Sequence, residues 1–486
     1  MNGTSPARSV PPGRRLGAGT MAAYGFGSVA YGVKDQGFGT FLLLFYSQVL
    51  QVPAATVGLV VMLALVLDAF IDPAVGFLSD RTRSRWGRRH PWMYGSAIPI
   101  AVGYVALWSP PVSFDETQLL FWLFGWAVVV RTAVSCYEVP SVALTPELSS
   151  DYDERTRIMA YRYLFGWAGG LSMMLAAYLY LLAPVPAAAP REAFALFGTV
   201  GAVLIAAAIL LSAVGTHREI PNLPQQPAVT GTLADSFREL FETVRNKAFA
   251  LLMLAGLCAY TIQGVGYALS NYFYAFVWDL KGIALVYLIA ALLLGAIGAF
   301  VLAPRVARGG SKAKWAVIFG LASAAIQTGP YWLRLAGLFP TPGAPGFFPV
   351  YFAVVATGTA CSVAGFILGA SMMADVVEDS EAKTGRRSEG VFFAGSFFVQ
   401  KCTSGIGIFL AGIILTVAGF PAGAKPGSVD VATIDRLTVV FASTYVVLAL
   451  IGVFFFSRFP FGRAEHEARL ARLAGAAAVD AGPHPL

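Results

Sequence analysis

The chain has 486 residues, 57% of them hydrophobic and only 13% charged, and its mean hydropathy is +0.67. An ordinary soluble domain carries about 25% charged residues, so a soluble globular fold is excluded and a polytopic membrane protein is expected. The formal net charge of +7 does not signal nucleic acid: basic residues crowd the amino tail, the 80–90 and 305–314 loops and the tail after Arg458, while the alternate loops near 51–56, 111–116 and 336–346 carry almost none, the positive-inside pattern with both termini cytoplasmic.

Residues 1–17 read as a polar cytoplasmic tail with Arg8, Arg14 and Arg15. No short apolar run with a small-residue cleavage site follows them, so the first helix is expected to remain as the anchor. Twelve apolar windows come next, near 18–50, 53–79, 91–110, 117–147, 157–184, 193–215, 248–277, 282–304, 314–335, 347–377, 389–419 and 434–457. Each is long enough to span about 30 Å of hydrocarbon as a helix. The first and tenth are long and glycine-rich, which marks them as candidates for bent or broken helices. Residues 18–216 are assigned to an N-terminal six-helix bundle, 217–246 to a cytoplasmic linker, 247–459 to a C-terminal six-helix bundle and 460–486 to a cytoplasmic tail. The linker is proline-rich at "IPNLPQQP" and predicted helical at "TLADSFRELFETVRNK", where Leu233, Phe237, Leu240, Phe241 and Val244 share one face and Thr232 with Asp235 is a start signal.

An internal repeat underlies that division. "GFLSDRTRSRWGRRHPWMYGSAI" after the second window and "FVLAPRVARGGSKAKWAVIFGLAS" after the eighth both run from an apolar helix end through a basic, glycine-bearing loop into a Trp-bearing apolar start. The same six-helix spacing links "TPELSSDYDERTR" to "ADVVEDSEAKTGRR". Two parallel six-helix halves joined by a cytoplasmic linker resemble the major facilitator fold: an all-α membrane protein of twelve transmembrane helices in two pseudo-symmetric bundles, whose substrate site is expected at the membrane midplane between the halves. Other classes find little support. Cys136, Cys258, Cys361 and Cys402 form no CxxC pair and are expected to be reduced, buried thiols rather than a disulfide framework or zinc site. No Gly-Lys dipeptide marks a Walker loop, and His90, His217, His466 and His484 fall in loops or tails. An enzyme is therefore not expected, nor a cofactor.

The informative residues are the ionisable ones inside the windows: Lys34, Asp35, Asp68, Asp72, Arg131, Glu138, Arg162 and Lys401. A charge at mid-bilayer costs about 2.5–3.5 kcal/mol even on the mild insertion scale, so it normally faces a polar interior and works in a transport pathway. Asp68 and Asp72 stand at i and i+4 on one helix face, where two carboxylates repel unless a cation lies between them or one is protonated. The pair reads as a cation or proton site. The alternative is that both acids neutralise Lys401 and Arg162 and hold the bundle together.

Three spaced motifs, "DAFIDPAVGFLSDRTRSRWGRRHPW", "CYEVPSVALTPELSSDYDERTRIMAYR" and "ADVVEDSEAKTGRRSEGVFFAGSFFVQK", resemble the melibiose-carrier type of the glycoside-pentoside-hexuronide:cation symporter family. The resemblance implies that Asp68 and Asp72 bind the coupling cation, with Glu138 beside them and Ser135 in the position of a hydroxyl that completes the cation shell. It implies that Asp35 and Arg162, with Lys34 alongside, hydrogen-bond sugar hydroxyls, and that Lys401 links the sugar and cation sites. It also assigns gating and orientation to Asp80, Arg81, Arg88 and Arg89, and inner-gate charges to Asp375, Glu378 and Arg386. The expected molecule is a cation-coupled sugar or glycoside symporter in the bacterial inner or plasma membrane, working as a monomer in the lipid bilayer without a nucleic-acid partner.

Two departures qualify the likeness. Ile71 stands where sodium-coupled relatives often have asparagine, which removes an oxygen ligand from a hard-cation shell; the coupling ion, proton or sodium, therefore leans to the proton. Val142 stands where the family has a sugar-stacking tryptophan, and only Phe366 and Tyr163 remain as stacking candidates. Alternatives on the same scaffold are a lysolipid carrier and a multidrug exporter. From another class, a non-transporting sensor has no evident need for Asp35, Asp68 and Asp72.

Overall fold

The computed structural model describes residues 16–149, 151–183, 185–223, 232–309, 311–384 and 389–460. Hydrocarbon offers no water to satisfy backbone N–H and C=O groups, so a long apolar run must pair them within itself. Among the described residues the regular elements are accordingly all helical. They are α1 (Ala18–Phe26), α2 (Val29–Gln36), α3 (Ala54–Arg81), α4 (His90–Trp108), α5 (Glu116–Leu148), α6 (Tyr152–Ala176), α7 (Arg191–His217), α8 (Leu233–Glu242), α9 (Lys247–Tyr272), α10 (Ile283–Gly309), α11 (Lys312–Leu335), α12 (Phe347–Thr384), α13 (Glu389–Val417) and α14 (Val431–Ser457). Asp115 starts α5 with a capping box: its carboxylate accepts from the Gln118 amide at 2.8 Å while its own N–H donates to the Gln118 side chain at 3.0 Å.

Of the two windows expected to bend, only the first does. It breaks at Gly27–Ser28, and after α2 the span continues through a π turn at Gly37–Phe41, three α residues and a second π turn at Phe45–Val49. The tenth runs unbroken for 38 residues as α12, because interior glycines do not end a helix whose backbone has no competing water. The linker helix forms over Leu233–Glu242, shorter than expected, with a 3-10 turn at Thr243–Arg245 that takes Val244 out of it, and its Phe241 meets Phe398 edge-on, with ring centroids 6.0 Å apart.

The chain divides into two compact units. The first comprises Met1–Ser236, Gly264–Val286 and Ser404–Asp430, and the second Phe237–Gln263, Tyr287–Thr403 and Val431–Leu486. In the first, α4 packs on α5 and α7, α3 on α5, and α2 on α6. Its core is aromatic: Phe45 stacks on Phe194 at 4.7 Å, and Trp108 meets Phe197 at 4.9 Å. In the second, α11 packs on α12 and α14 around Phe249, Leu252, Phe319, Leu368, Met372, Val376 and Phe392. Ile98, Phe121, Val203 and Leu294 are exposed, apolar side chains that suit a lipid-facing surface.

Local geometry repeats as the motifs do. The first span ends with Leu50 N–H donating to Phe45 O at 3.1 Å and Val52 N–H to Tyr46 O at 3.0 Å, with Gln51 between them at a φ of 60°. After α9, Trp278 N–H donates to Phe273 O at 2.9 Å and Leu280 N–H to Tyr274 O at 2.7 Å, with Asp279 at a φ of 46°. Two details correct the sequence expectation. Cys258 is buried, but Cys136, Cys361 and Cys402 are only half-buried. His90 and His217 are not in loops: His90 is the first residue of α4, wholly buried and hydrogen-bonded to Thr216 at 3.0 Å, and His217 is the last residue of α7. His466 and His484 lie outside the described residues.

Candidate functional site

The centre of the site is a rung between α3 and α5. Asp68 is 1% exposed and Arg131 5% exposed. Arg131 Nη2 donates to Asp68 Oδ2 at 2.6 Å and Nε to the same oxygen at 2.9 Å, while Ser135 Oγ donates to Oδ1 at 2.9 Å. Arg131 and Ser135 stand one turn apart on α5, so a single helix face presents both donors. Arg131, a residue that sequence reasoning placed among the intramembrane charges without a role, is thus a basic partner of Asp68. Asp72 lies one turn further along α3, half-buried, and acts electrostatically on both Arg131 and Cys136. Prolines stand in both helices at this level. Pro73 follows Asp72, and Pro140 follows Glu138 by two residues, and each removes the amide that would bond the carbonyl one turn earlier, that of Ala69 and of Cys136. The site therefore combines carboxylates and a hydroxyl with one guanidinium.

Of the residues expected to touch substrate, Lys34 and Asp35 lie on α2, Arg162 on α6, Phe366 on α12 and Lys401 on α13. Lys34, buried, pairs with its neighbour Asp35 at 2.6 Å, and the Asp35 side chain is 62% exposed. Arg162 on α6 is buried; its Nη1 donates to Ser141 Oγ at 2.7 Å and its guanidinium lies over the Tyr24 ring at 5.0 Å and the Tyr31 ring at 6.0 Å. Tyr24 in turn donates to the Ser141 carbonyl and hydrogen-bonds Thr145 Oγ1. Glu138 is half-buried and acts electrostatically on Arg162. The close approach of α2 to α6 depends on glycine: a Cβ on Gly32 would stand 2.1 Å from the Gly166 carbonyl oxygen. Val142 and Tyr163 are both exposed.

The arginine loop makes a second cluster. Glu147 Oε1 accepts from Arg88 Nη2 at 2.7 Å and from Arg89 Nε at 3.0 Å, while Arg89 also donates to Ser79 Oγ at 2.7 Å and pairs with Asp80 at 2.5 Å. Asp80, Arg88 and Arg89 thus come together. Arg81 lies over the Phe77 ring at 3.9 Å. Glu147 was missed; its signal was its place in "TPELSSDYDERTR", at the end of α5 where a buried acid meets basic residues from the start of α4. Glu147→Gln keeps volume and loses the charge facing two arginines, one of them buried. It should cost about 2–3 kcal/mol, visible as a fall of about 3–5 °C in unfolding temperature by scanning fluorimetry; an unchanged midpoint would show that Asp80 suffices for Arg89.

The second unit has its own version. Lys312, at the start of α11, pairs with buried Asp375 near the end of α12 at 2.7 Å, an acid–base contact placed as Arg88 and Arg89 with Glu147 are in the first. Glu378 lies one turn beyond Asp375. Lys401 sits half-buried within α13. Phe366 stacks on Tyr260 with centroids 5.4 Å apart, so it is part of an aromatic pair. Arg386 lies outside the described residues.

A protein-family model described as MFS/sugar transport protein matches residues 23–463. An uncharacterized symporter of Synechocystis sp. is 30% identical over 473 residues, covering 82% of this chain and 86% of that protein. The isoprimeverose transporter of Lactiplantibacillus pentosus is 25% identical over 387 residues, with 79% and 77% covered. Sodium-dependent lysophosphatidylcholine symporter 1 of Xenopus tropicalis is 24% identical over 498 residues, with 94% and 90% covered. Among solved structures, a mutant of the nucleoside transporter NupG aligns with a TM-score of 0.63 at 16% identity, covering 90% of this chain and 100% of that one; the likeness is one of fold.

Proposed function

The chain belongs to the MFS/sugar transport protein family, as a membrane-embedded secondary transporter and not an enzyme, and from that premise we propose that it carries a sugar or glycoside together with a proton. The observation that carries the reading is the rung of charged and hydroxylated side chains inside two membrane-spanning helices: Asp68 held by Arg131 and Ser135, with Asp72 one turn away. Charges at that depth are costly enough that a transport pathway is their usual reason. In this reading Asp72, with Glu138 nearby, takes up and releases the coupling proton. Asp35, Arg162 and Lys34 hydrogen-bond substrate hydroxyls, Lys401 links substrate to coupling ion, and Phe366 lends stacking surface. Asp80, Arg81, Arg88, Arg89, Asp375, Glu378 and Arg386 gate the inner side. The two bundles are 18–216 and 247–459, joined by the 217–246 linker, with both termini cytoplasmic in a bacterial inner membrane.

The proton is favoured over sodium by Ile71, which contributes no oxygen beside Asp72, and by the occupation of both Asp68 oxygens by fixed donors. Uptake into proteoliposomes under separately imposed pH and sodium gradients, with a panel of glycosides, tests the reading. Accumulation driven by the pH gradient, weakly affected by sodium, is expected; strong sodium stimulation without any pH effect would overturn the choice of ion. One observation favours a second reading. Val142 presents an apolar, 43% exposed surface where the resemblance led to an expected tryptophan, which suits an acyl chain better than a sugar ring. Accumulation of lysophospholipid and of no glycoside in the same assay would select a lysolipid carrier.

A further inference from the structure

We infer that the Arg131 guanidinium is a built-in counter-cation that occupies the place of an exchangeable ion at Asp68, and that this chain excludes sodium there for that reason. The inference rests on the cation-coupled reading above and names which of its two helix-3 acids is closed to an ion. Both oxygens of Asp68 are engaged by donors: two guanidinium N–H groups on Oδ2 at 2.6 and 2.9 Å, and the Ser135 hydroxyl on Oδ1 at 2.9 Å. A sodium ion arriving at Asp68 meets a carboxylate whose charge the guanidinium already neutralises and is repelled by that fixed cation, and arginine cannot give up its proton to become a neutral group. Arg131 is buried, with the Phe38 ring 5.6 Å away on one side. Asp35 and Asp72 also act on it electrostatically, but moving it off Asp68 would give up both of these charge-assisted hydrogen bonds of a buried cation.

The same geometry says what removal of the guanidinium would uncover. Without it, Asp68 and Ser135, with Asp72 one turn along α3, offer carboxylate and hydroxyl oxygens of the kind a hard cation takes. Arg131→Gln should therefore create a sodium site that the unmodified protein lacks.

The test is the thermal unfolding of purified full-length protein in sodium chloride against choline chloride. The unmodified protein should show no sodium-specific shift. Arg131→Gln should show a saturable, sodium-specific rise of about 2–4 °C, and Arg131→Gln combined with Asp68→Asn should fold and lose it. If Arg131→Gln folds only when prepared in sodium, the ion is standing in for the guanidinium and the inference holds. It is overturned if the unmodified protein shows a saturable sodium shift, if folded Arg131→Gln shows none, or if Arg131→Gln folds in neither salt while the double variant folds. Failure here is separable from failure of the symport reading. Uptake driven by the pH gradient in the unmodified protein can persist when the sodium site fails to appear, and a sodium site can appear in a carrier whose uptake proves insensitive to pH.

Discussion

Asp72→Cys is expected to abolish uphill accumulation, collapsing the ratio of internal to external substrate to about one, while the unfolding temperature changes by no more than about 2 °C. Asp72 is half-buried and one turn from an ion pair that is complete without it: Asp68 already holds Arg131 and Ser135. Loss of one partly buried carboxylate that is not a member of that pair falls among substitutions of modest effect on stability. On the proposed coupling role, its loss removes the group that links substrate movement to the ion gradient, so only downhill exchange is expected to remain. Accumulation in vesicles, with unfolding measured on the same purified protein, separates the two effects. Normal concentrative uptake by Asp72→Cys would remove it from the coupling site; a large fall in stability would instead favour a structural role.

Asp68→Ala should behave differently although it lies on the same helix face. Arg131 would then be a buried cation without its partner, and the Ser135 hydroxyl would lose its acceptor. Breaking a buried ion pair by removing one member costs about 3–5 kcal/mol, for an expected fall of about 5–10 °C in unfolding temperature or loss of folded protein from the membrane. Replacing both members, Asp68→Ala with Arg131→Leu, should recover most of that loss, because an apolar pair of similar volume leaves no uncompensated charge. An Asp68→Ala protein as stable as the unmodified one would show that Arg131 finds another partner at no cost.

These two expectations could not have been separated from the sequence. Period alone puts Asp68 and Asp72 on one face of α3 and makes them equivalent. The difference arises because α5 meets α3 with Arg131 and Ser135 at the level of one acid and Cys136 at the level of the other. That register is set by side chains packing between two helices 63 positions apart in the chain at the pair itself. The same reason hid Glu147: a single acid at the end of an apolar window is unremarkable until the start of α4 brings Arg88 and Arg89 to it.

What was readable from residues alone was whatever depends on local chemistry and on the surrounding solvent. The window at 53–79 became Ala54–Arg81 and that at 193–215 became Arg191–His217, because hydrocarbon obliges each long apolar run to satisfy its own backbone. The charges inside those windows stood out for the same reason, since each is expensive wherever it lies. Their partners were not readable. An ion pair is a distance of under 4 Å between groups far apart in the chain, and only the rotation and rise of one packed helix against another brings Arg131 rather than Arg162 to Asp68 and seats Arg162 on Ser141 between two tyrosine rings.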